Sequence, residues 1–291
     1  MPPRLQSFLL GCLVALLVLV PDRFVCGADA DDNAARQADA GPSKPTGRTI
    51  TLSDFGAEDL AYLAIPVTPP SLGIVLVPDA YGLDDFTKHE ADRLAEQGYL
   101  VVAIDIYNGR QTLDPGELAN LTANLSTDSV MKTVTAGIRF FHESPKFRVD
   151  HVVAMGWGAG ATYVYQAART NKTLDGAITF YGPVGTNEQA AVKFAAPLCA
   201  VYPENDLVAT HENVQAFQHA MKDAGNDCEA WFIDAGRGWS NPKSKTYNPA
   251  EDREAWKVAL PFIVRISSLP VKPKDTSIID KAKDGIENIF K

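Results

Sequence analysis

The segment with the strongest chemical signature is a glycine-rich turn between an apolar run and a helical pattern. It reads Gly156-Trp157-Gly158-Ala159-Gly160. A sharp strand-to-helix turn of this kind can strain its central residue and aim that side chain at a substrate. The central residue is Gly158, so the turn has the outline of a nucleophile elbow without a nucleophile. The alternative, a dinucleotide-binding turn, needs a Gly-x-Gly-x-x-Gly spacing after the first strand, whereas this turn follows the fifth predicted strand.

Further segments match, in order, the active-site loops of a known family. They are Val77 to Gly82, Asp105-Ile106-Tyr107, Phe180-Tyr181-Gly182, Tyr202 to Val208 and Gly236 to Asn241. With the glycine-rich turn, they resemble the dienelactone hydrolases over about residues 73 to 266. The resemblance implies an α/β-hydrolase fold and the hydrolysis of esters or lactones.

The resemblance also assigns the three positions of a catalytic triad. It places the acid at Asp206, the nucleophile at Gly158 and the base at Arg237. Acyl transfer needs a hydroxyl or thiol that attacks the carbonyl and a histidine that takes and returns the proton. Gly158 cannot attack, and a guanidinium with a pKa above about 12 cannot accept a proton near neutrality. The chain is therefore predicted to be a pseudoenzyme with respect to this chemistry.

The rest of the pocket that the resemblance implies is present. It comprises Asp79, Ala80, Ala159, Tyr107 and Tyr181. Asp79 stands where the family typically has Glu, and the amides of Ala80 and Ala159 are expected to form an oxyanion hole. Such a pair of N–H groups at a helix N-terminus favours negative charge.

Short apolar runs that alternate with helical patterns must position these residues, and this alternation is typical of a parallel sheet with crossover helices. Strands are predicted at Thr49–Leu52, Ala61–Ile65, Gly73–Val77, Leu100–Ile104, Val149–Met155, Gly176–Phe180, Leu198–Tyr202 and Ala230–Ile233. Helices are predicted at Asp84–Gln97, Thr127–Glu143, Ala161–Thr170, Thr210–Asp223 and, after an Asn248 cap, from Pro249 onward. The prediction is an α/β-hydrolase fold with a mostly parallel eight-stranded sheet and helices on both faces.

The chain divides into four predicted parts. Residues 1–30 are expected to be a signal peptide, because Arg4 precedes an apolar run, Phe8 to Val20, that is shorter than the roughly 20 residues of a membrane span. Residues 31–47 are predicted to be a flexible leader, 48–268 the hydrolase-like domain, and 269–291 a tail with a weak amphipathic helix, Ile278 to Phe290. The protein is therefore expected to be exported, either periplasmic or secreted.

The composition of the chain limits the classes of partner that are expected. A net charge of −9 without a basic cluster argues against nucleic acid and anionic membranes, so a small molecule is the expected partner. Scattered histidines and few cysteines give no metal-ligand spacing, and no cofactor is predicted. Cys199 and Cys228 lie in the last two predicted strands, which leaves a disulfide and two buried thiols as alternatives.

Two functions are the leading candidates at this point, ahead of a purely structural or partner-binding domain that uses the flexible ends. The first is a non-hydrolytic binder of a small molecule, possibly a carboxylate attracted by Arg237. The same Arg237 could instead form an ion pair with Asp206 and keep no charge free. The second is weak or atypical ester or lactone hydrolysis, with Asp79 or His211 activating water and the amide pair holding the oxyanion.

Overall fold

The computed structural model of the protein describes residues 46–70, 72–207 and 209–271. The predicted signal peptide, nearly all of the leader and the tail helix Ile278 to Phe290 lie outside the described residues. Within these ranges, no helix has both the length and the apolar character that a bilayer crossing requires.

Eight strands form one sheet, as predicted. They are β1 (Arg48–Thr51), β2 (Leu60–Ala64), β3 (Leu72–Val77), β4 (Leu100–Ile104), β5 (His151–Trp157), β6 (Gly176–Phe180), β7 (Leu198–Pro203) and β8 (Cys228–Ile233). Their order is β1-β2-β4-β3-β5-β6-β7-β8. The pairs β1–β2 and β2–β4 are antiparallel, and all the others are parallel. The carboxyl ends of β3, β5, β6 and β7 therefore meet at one edge, where ligands bind in open α/β sheets.

Helices cover the sheet. They are α1 (Asp85–Glu96), α2 (Pro115–Ala123), α3 (Thr127–Glu143), α4 (Gly158–Thr170), α5 (Asn187–Ala190), α6 (His211–Asp223) and α7 (Pro249–Ser267), with a short 3₁₀ turn at Ser53–Phe55. The Asn248 side chain caps α7, and Pro249 occupies its first turn, both as predicted. Helix α2 was not predicted, although Asp114 caps it and Pro115 opens it. Its weak apolar stripe, with Leu121 as its one buried residue, explains why periodicity missed it.

The core has two layers, one on each face of the sheet. Strands β3, β4 and β5 are buried throughout, as expected for parallel strands that are covered on both faces. Val75 and Val77 pack in the layer under α3, α4 and α6, whereas Ile74 and Leu76 pack under α1 and α7. The predicted fold class is therefore confirmed.

The two cysteines of the domain are free thiols, and the disulfide alternative is wrong. In the β7–β8 register, Cys228 lies opposite Leu198, and Cys199 lies opposite Glu229. Successive side chains of a strand point to opposite faces, so this offset of one residue separates the two sulfurs. Cys199 belongs to the layer under α1 and α7, and Cys228 packs against the other layer.

Candidate functional site

The glycine-rich turn joins β5 directly to α4. Gly158 is the first residue of that helix and has a φ of +49°, a left-handed conformation that residues with a Cβ rarely adopt. At Gly160, a Cβ would overlap the backbone carbonyls of Val77 and Pro78 at the end of β3. The helix N-terminus is therefore packed tightly against the segment that carries Asp79, which brings the two predicted halves of the site together.

The carboxyl of Asp79 occupies the point on which the predicted oxyanion amides converge. Its Oδ1 accepts hydrogen bonds from the Ala80 amide at 2.7 Å and from the Ala159 amide at 3.3 Å. The two amides thus aim at one point, and in this structure a carboxyl group of the protein itself fills it.

Asp79 also fills the space above Gly158. A Cβ at residue 158 would overlap Asp79 Oδ1 and would lie 2.9 Å from its Cγ and 3.1 Å from its Oδ2. Asp79, Gly158 and Ala159 all remain partly exposed, so solvent reaches this cluster. The volume that a nucleophilic side chain at position 158 would need is therefore taken by the Asp79 carboxyl.

Burial has the largest effect on the pKa values of this cluster. It raises the pKa of Asp79 above the ordinary carboxyl range, although the hydrogen bonds from the Ala80 and Ala159 amides act in the opposite direction. Burial, followed by the nearby Asp79 carboxyl, also holds the pKa of Tyr181 well above its usual value. The Tyr181 hydroxyl is buried beside Asp79, and it makes no hydrogen bond of normal geometry with the described residues. Tyr181 thus stays a neutral phenol against a carboxyl that resists ionisation.

Arg237 forms the ion pair that was one of its two predicted alternatives. Its Nε and Nη2 donate to Asp206 Oδ2 at 3.0 and 2.7 Å, and its Nη1 donates to the Tyr181 carbonyl. The Ala209 amide donates to Asp206 Oδ1 at 2.9 Å. The Asp206 side chain is 5% exposed and that of Arg237 is 47% exposed. All three guanidinium nitrogens therefore have partners, and the positive charge is matched by Asp206.

A buried carboxylate that sequence reasoning missed anchors the loop that carries Arg237. Asp84 is fully buried and caps α1, where its Oδ1 accepts from the Thr87 amide at 3.0 Å. Its Oδ2 lies 3.2 Å from Asn241 Nδ2 and 3.3 Å from Lys243 Nζ, both in the Arg237 loop. Trp239 of the same loop packs edge-on against Tyr181. The capping pattern at Asp84 was visible in the sequence, but its link to residues 241 and 243 was not.

Two predicted residues direct their polar groups elsewhere. The Tyr107 hydroxyl lies 3.1 Å from Thr122 Oγ1, and its ring packs under Gly82, so it supports the loop after β3. His211 Nε2 lies 2.8 Å from Glu204 Oε1, and its ring stacks on Phe232. The structure therefore brings neither polar group to the Asp79 carboxyl. Among the described residues, His, Cys, Asp and Glu form no group of three or more that could hold a metal ion.

The sheet order, the strand-to-helix turn at Gly158 and the convergence of the loops after β3, β6 and β7 define an α/β-hydrolase fold. The chain is similar to a solved dienelactone hydrolase-like promiscuous phosphotriesterase from metagenomic libraries, with a TM-score of 0.67 and 18% identity, covering 77% of this chain and 99% of that one.

Sequence comparisons agree with this structural similarity. The chain is 25% identical over 230 residues to a Bradyrhizobium protein named "Probable 2-oxo-3-(5-oxofuran-2-ylidene)propanoate lactonase", covering 74% of this chain and 92% of that protein. It is 24% identical over 259 residues to a Saccharolobus solfataricus protein named "Putative carboxymethylenebutenolidase", covering 76% and 99%. The model of the dienelactone hydrolase family matches residues 60–267. The chain belongs to the dienelactone hydrolase family.

Proposed function

We propose that this protein is an exported, non-hydrolytic member of its family that binds a small molecule at the Asp79 cluster. Gly158 would stand at the nucleophile position and Arg237 at the base position, with Asp206 retained as the acid. The observation that carries the proposal is the Asp79 carboxyl group, which lies on the amide pair directly above Gly158. The apolar run near the N-terminus supports export.

The occupied amide pair argues against acyl transfer. An oxyanion hole accelerates that reaction because its donors are already oriented toward the position where negative charge develops in the transition state. Here the donors already hold the Asp79 carboxyl oxygen, and a substrate carbonyl has to displace it. Arg237 cannot supply a base, since its guanidinium stays protonated and is engaged with Asp206 and Tyr181. The amide pair and Arg237 are thus both bound to other groups of the protein.

The same contacts define how a carboxylate ligand would bind. The charge of Arg237 is matched, so a carboxylate gains little from it unless the ion pair with Asp206 opens. The amide pair offers a better place, provided that the Asp79 carboxyl leaves it. We therefore propose that a carboxylate ligand binds by exchange with Asp79.

The alternative function is hydrolysis by water that Asp79 activates. The observation in its favour is a solvent-reachable carboxyl whose pKa is raised by burial, because a base with a higher pKa accepts a proton more readily. His211 has less support in this role, since Glu204 and Phe232 hold it at the surface.

Two assays on the mature protein test these functions. With p-nitrophenyl acetate, we expect no burst, no acyl adduct by intact mass and no turnover above buffer. Turnover that Asp79→Asn abolishes would instead establish the hydrolytic alternative. In thermal shift with small carboxylates, Asp79→Ala should be stabilised at concentrations that leave the wild type unchanged, because a ligand that binds only the folded state stabilises it. If no carboxylate shifts Asp79→Ala, binding by exchange at the amide pair is refuted.

A further inference from the structure

A buried hydroxyl in the loop that carries Arg237 connects Tyr181 to a second carboxyl, on α7. Ser240 is buried, and its Oγ lies beside both the Tyr181 hydroxyl and the carboxyl of Asp252. Asp252 belongs to the first turn of α7. The Tyr181 hydroxyl in turn lies beside the Asp79 carboxyl. Two carboxyls and two hydroxyls therefore stand in series, in the order Asp79, Tyr181, Ser240 and Asp252.

The polar atoms inside this series are enclosed by the protein. Within residues 46–70, 72–207 and 209–271, the Tyr181 hydroxyl, Ser240 Oγ and Asp252 Oδ1 are buried and make no hydrogen bond of normal geometry. Buried polar groups of native proteins nearly always find a partner, and a hydroxyl rotates its hydrogen to suit the acceptor. The neighbours in the series are therefore the expected partners of these atoms.

The backbone and the ring of Tyr181 hold its hydroxyl in this position. Tyr181 has a φ of +40°, in the left-handed region that residues with a Cβ rarely adopt. Its carbonyl accepts from Arg237, and its ring packs edge-on against Trp239 with the centroids 4.7 Å apart. A residue with a strained backbone stays in place only where its surroundings hold it. The hydroxyl is thus fixed between Asp79 and Ser240.

We propose that this series is a proton relay in which Asp79 and Asp252 share one proton through the two hydroxyls. With the proton on Asp79, each group donates to the next, and the Asp252 carboxylate accepts the last hydrogen bond. With the proton on Asp252, all three hydrogen bonds reverse, because a hydroxyl both donates and accepts. In that exchange Asp252 gives a proton to Ser240, Ser240 gives one to Tyr181, and Tyr181 gives one to Asp79. The net charge of the series does not change.

The number of hydrogen bonds favours a single shared proton. With one proton, every O–H group of the series has an acceptor. With none, each hydroxyl donates to the carboxylate next to it, and no hydrogen remains for a bond between Tyr181 and Ser240. With two, both carboxyls donate inward, and the Ser240 hydrogen has no acceptor within the series. Burial raises the pKa of both carboxyls, which also disfavours the state in which both are ionised.

Other ionisable groups face the two carboxyls from α1, from the loops after β3 and β4, and from the segment before α7. Glu90 pairs with Arg93 on α1, and Asp84 pairs with Lys243. All of these groups stay unchanged in the variants described below, so they add a constant background to both titrations. They are Tyr81, Asp84 and Tyr107 near Asp79, and Glu90, Arg93 and Tyr247 near Asp252.

The relay lets Asp79 change its charge without exchanging a proton with the solvent. A carboxylate ligand on the amide pair would bring negative charge next to Asp79, and a proton from Asp252 would remove the repulsion. This consequence rests on the proposed function, whereas the shared proton itself needs no ligand.

Carbon-13 NMR of the full mature protein, with its aspartate carboxyl carbons labelled and no ligand added, tests the relay. Asp79→Asn and Asp252→Asn assign the two resonances by their loss. In the wild type, we expect both resonances to follow the same two titration steps, because coupled groups titrate as a pair. Ser240→Ala should bring the two steps closer by about 0.5–1 pH unit, since it removes a hydrogen bond from the one-proton state. Asp252→Asn should leave Asp79 with a single step.

Matched controls separate the relay from general effects of substitution. Ser244→Ala removes a hydroxyl of the same loop that bonds to Thr246, and Glu254→Gln removes an exposed carboxylate of α7 that pairs with Lys257. Both variants should titrate like the wild type. Circular dichroism checks the fold of every variant.

Tyr181→Phe interrupts the series at its other hydroxyl and should bring the two steps closer, as Ser240→Ala does. The proposal is overturned if the two carboxyls of the wild type titrate independently. It is also overturned if the folded hydroxyl variants keep the two steps as far apart as in the wild type, because repulsion through space would then explain the coupling. Neither result involves ester hydrolysis or carboxylate exchange, so this inference and the proposed function can fail separately.

Discussion

Replacing Gly158 with alanine tests whether the Asp79 carboxyl fills the space above the turn. The new Cβ would overlap Asp79 Oδ1, so the carboxyl has to leave both amides. A hydrogen bond contributes about 0.5–1.5 kcal/mol when its acceptor is neutral and about 1.5–3 kcal/mol when it is charged. Because one bond is long, at 3.3 Å, and the displaced carboxyl regains water, we take about 2 kcal/mol for the pair together. Holding alanine at a φ of +49° adds about 1–2 kcal/mol.

The expected loss in the free energy of unfolding is therefore about 3–4 kcal/mol for Gly158→Ala in the wild type. In an Asp79→Ala background, only the backbone contribution of about 1–2 kcal/mol should remain. Urea denaturation followed by circular dichroism gives all four free energies of this double-mutant cycle, and the coupling energy should be about 2 kcal/mol. Equal losses in the two backgrounds would refute the contact between Asp79 and residue 158.

Two further predictions concern the charges of the site. Arg237→Ala should lower the free energy of unfolding by about 1–2 kcal/mol, because Asp206 is buried while the guanidinium is half exposed; urea denaturation that matches the wild type would contradict this. Asp79→Asn should become more stable relative to the wild type as pH rises. The pKa of Asp79 is raised in the folded protein, so its contribution is present below the ordinary carboxyl pKa of 3.8 and is lost as pH rises through the higher folded pKa. Thermal unfolding of both proteins between pH 4 and 8 measures this difference, and a constant difference would disprove the raised pKa.

The scaffold of the site could be predicted from sequence because its signals are local. Apolar runs and caps located the strands and most helices, and the spacing of Gly156, Gly158 and Gly160 predicted the turn. The Arg237–Asp206 pair was one of two expected outcomes. The expectation that the last two strands are neighbours also placed Cys199 near Cys228. The register of β7 against β8 decides which face each side chain points to, however, and that register depends on the whole sheet.

The positions of the side-chain atoms within the site could not be predicted in the same way. The position of the Asp79 carboxyl depends on a side-chain rotamer and on how closely α4 approaches the end of β3. Both are set by contacts between residues about 80 positions apart. The link from Asp84 to Asn241 spans an even longer stretch of sequence. Local patterns and the family resemblance thus indicated the loops that surround the site, but not which atoms occupy its centre.

The Asp79 side chain is an intramolecular ligand of the Ala80 and Ala159 amides. A tethered group competes at an effective concentration on the order of millimolar or higher, without any loss of translational freedom on binding. A free carboxylate therefore has to exceed that concentration, or make additional contacts, before it replaces Asp79 on the Ala80 and Ala159 amides. Fragment screens of the wild type would consequently under-report the affinity of the amide pair, whereas the Asp79→Ala variant would reveal it.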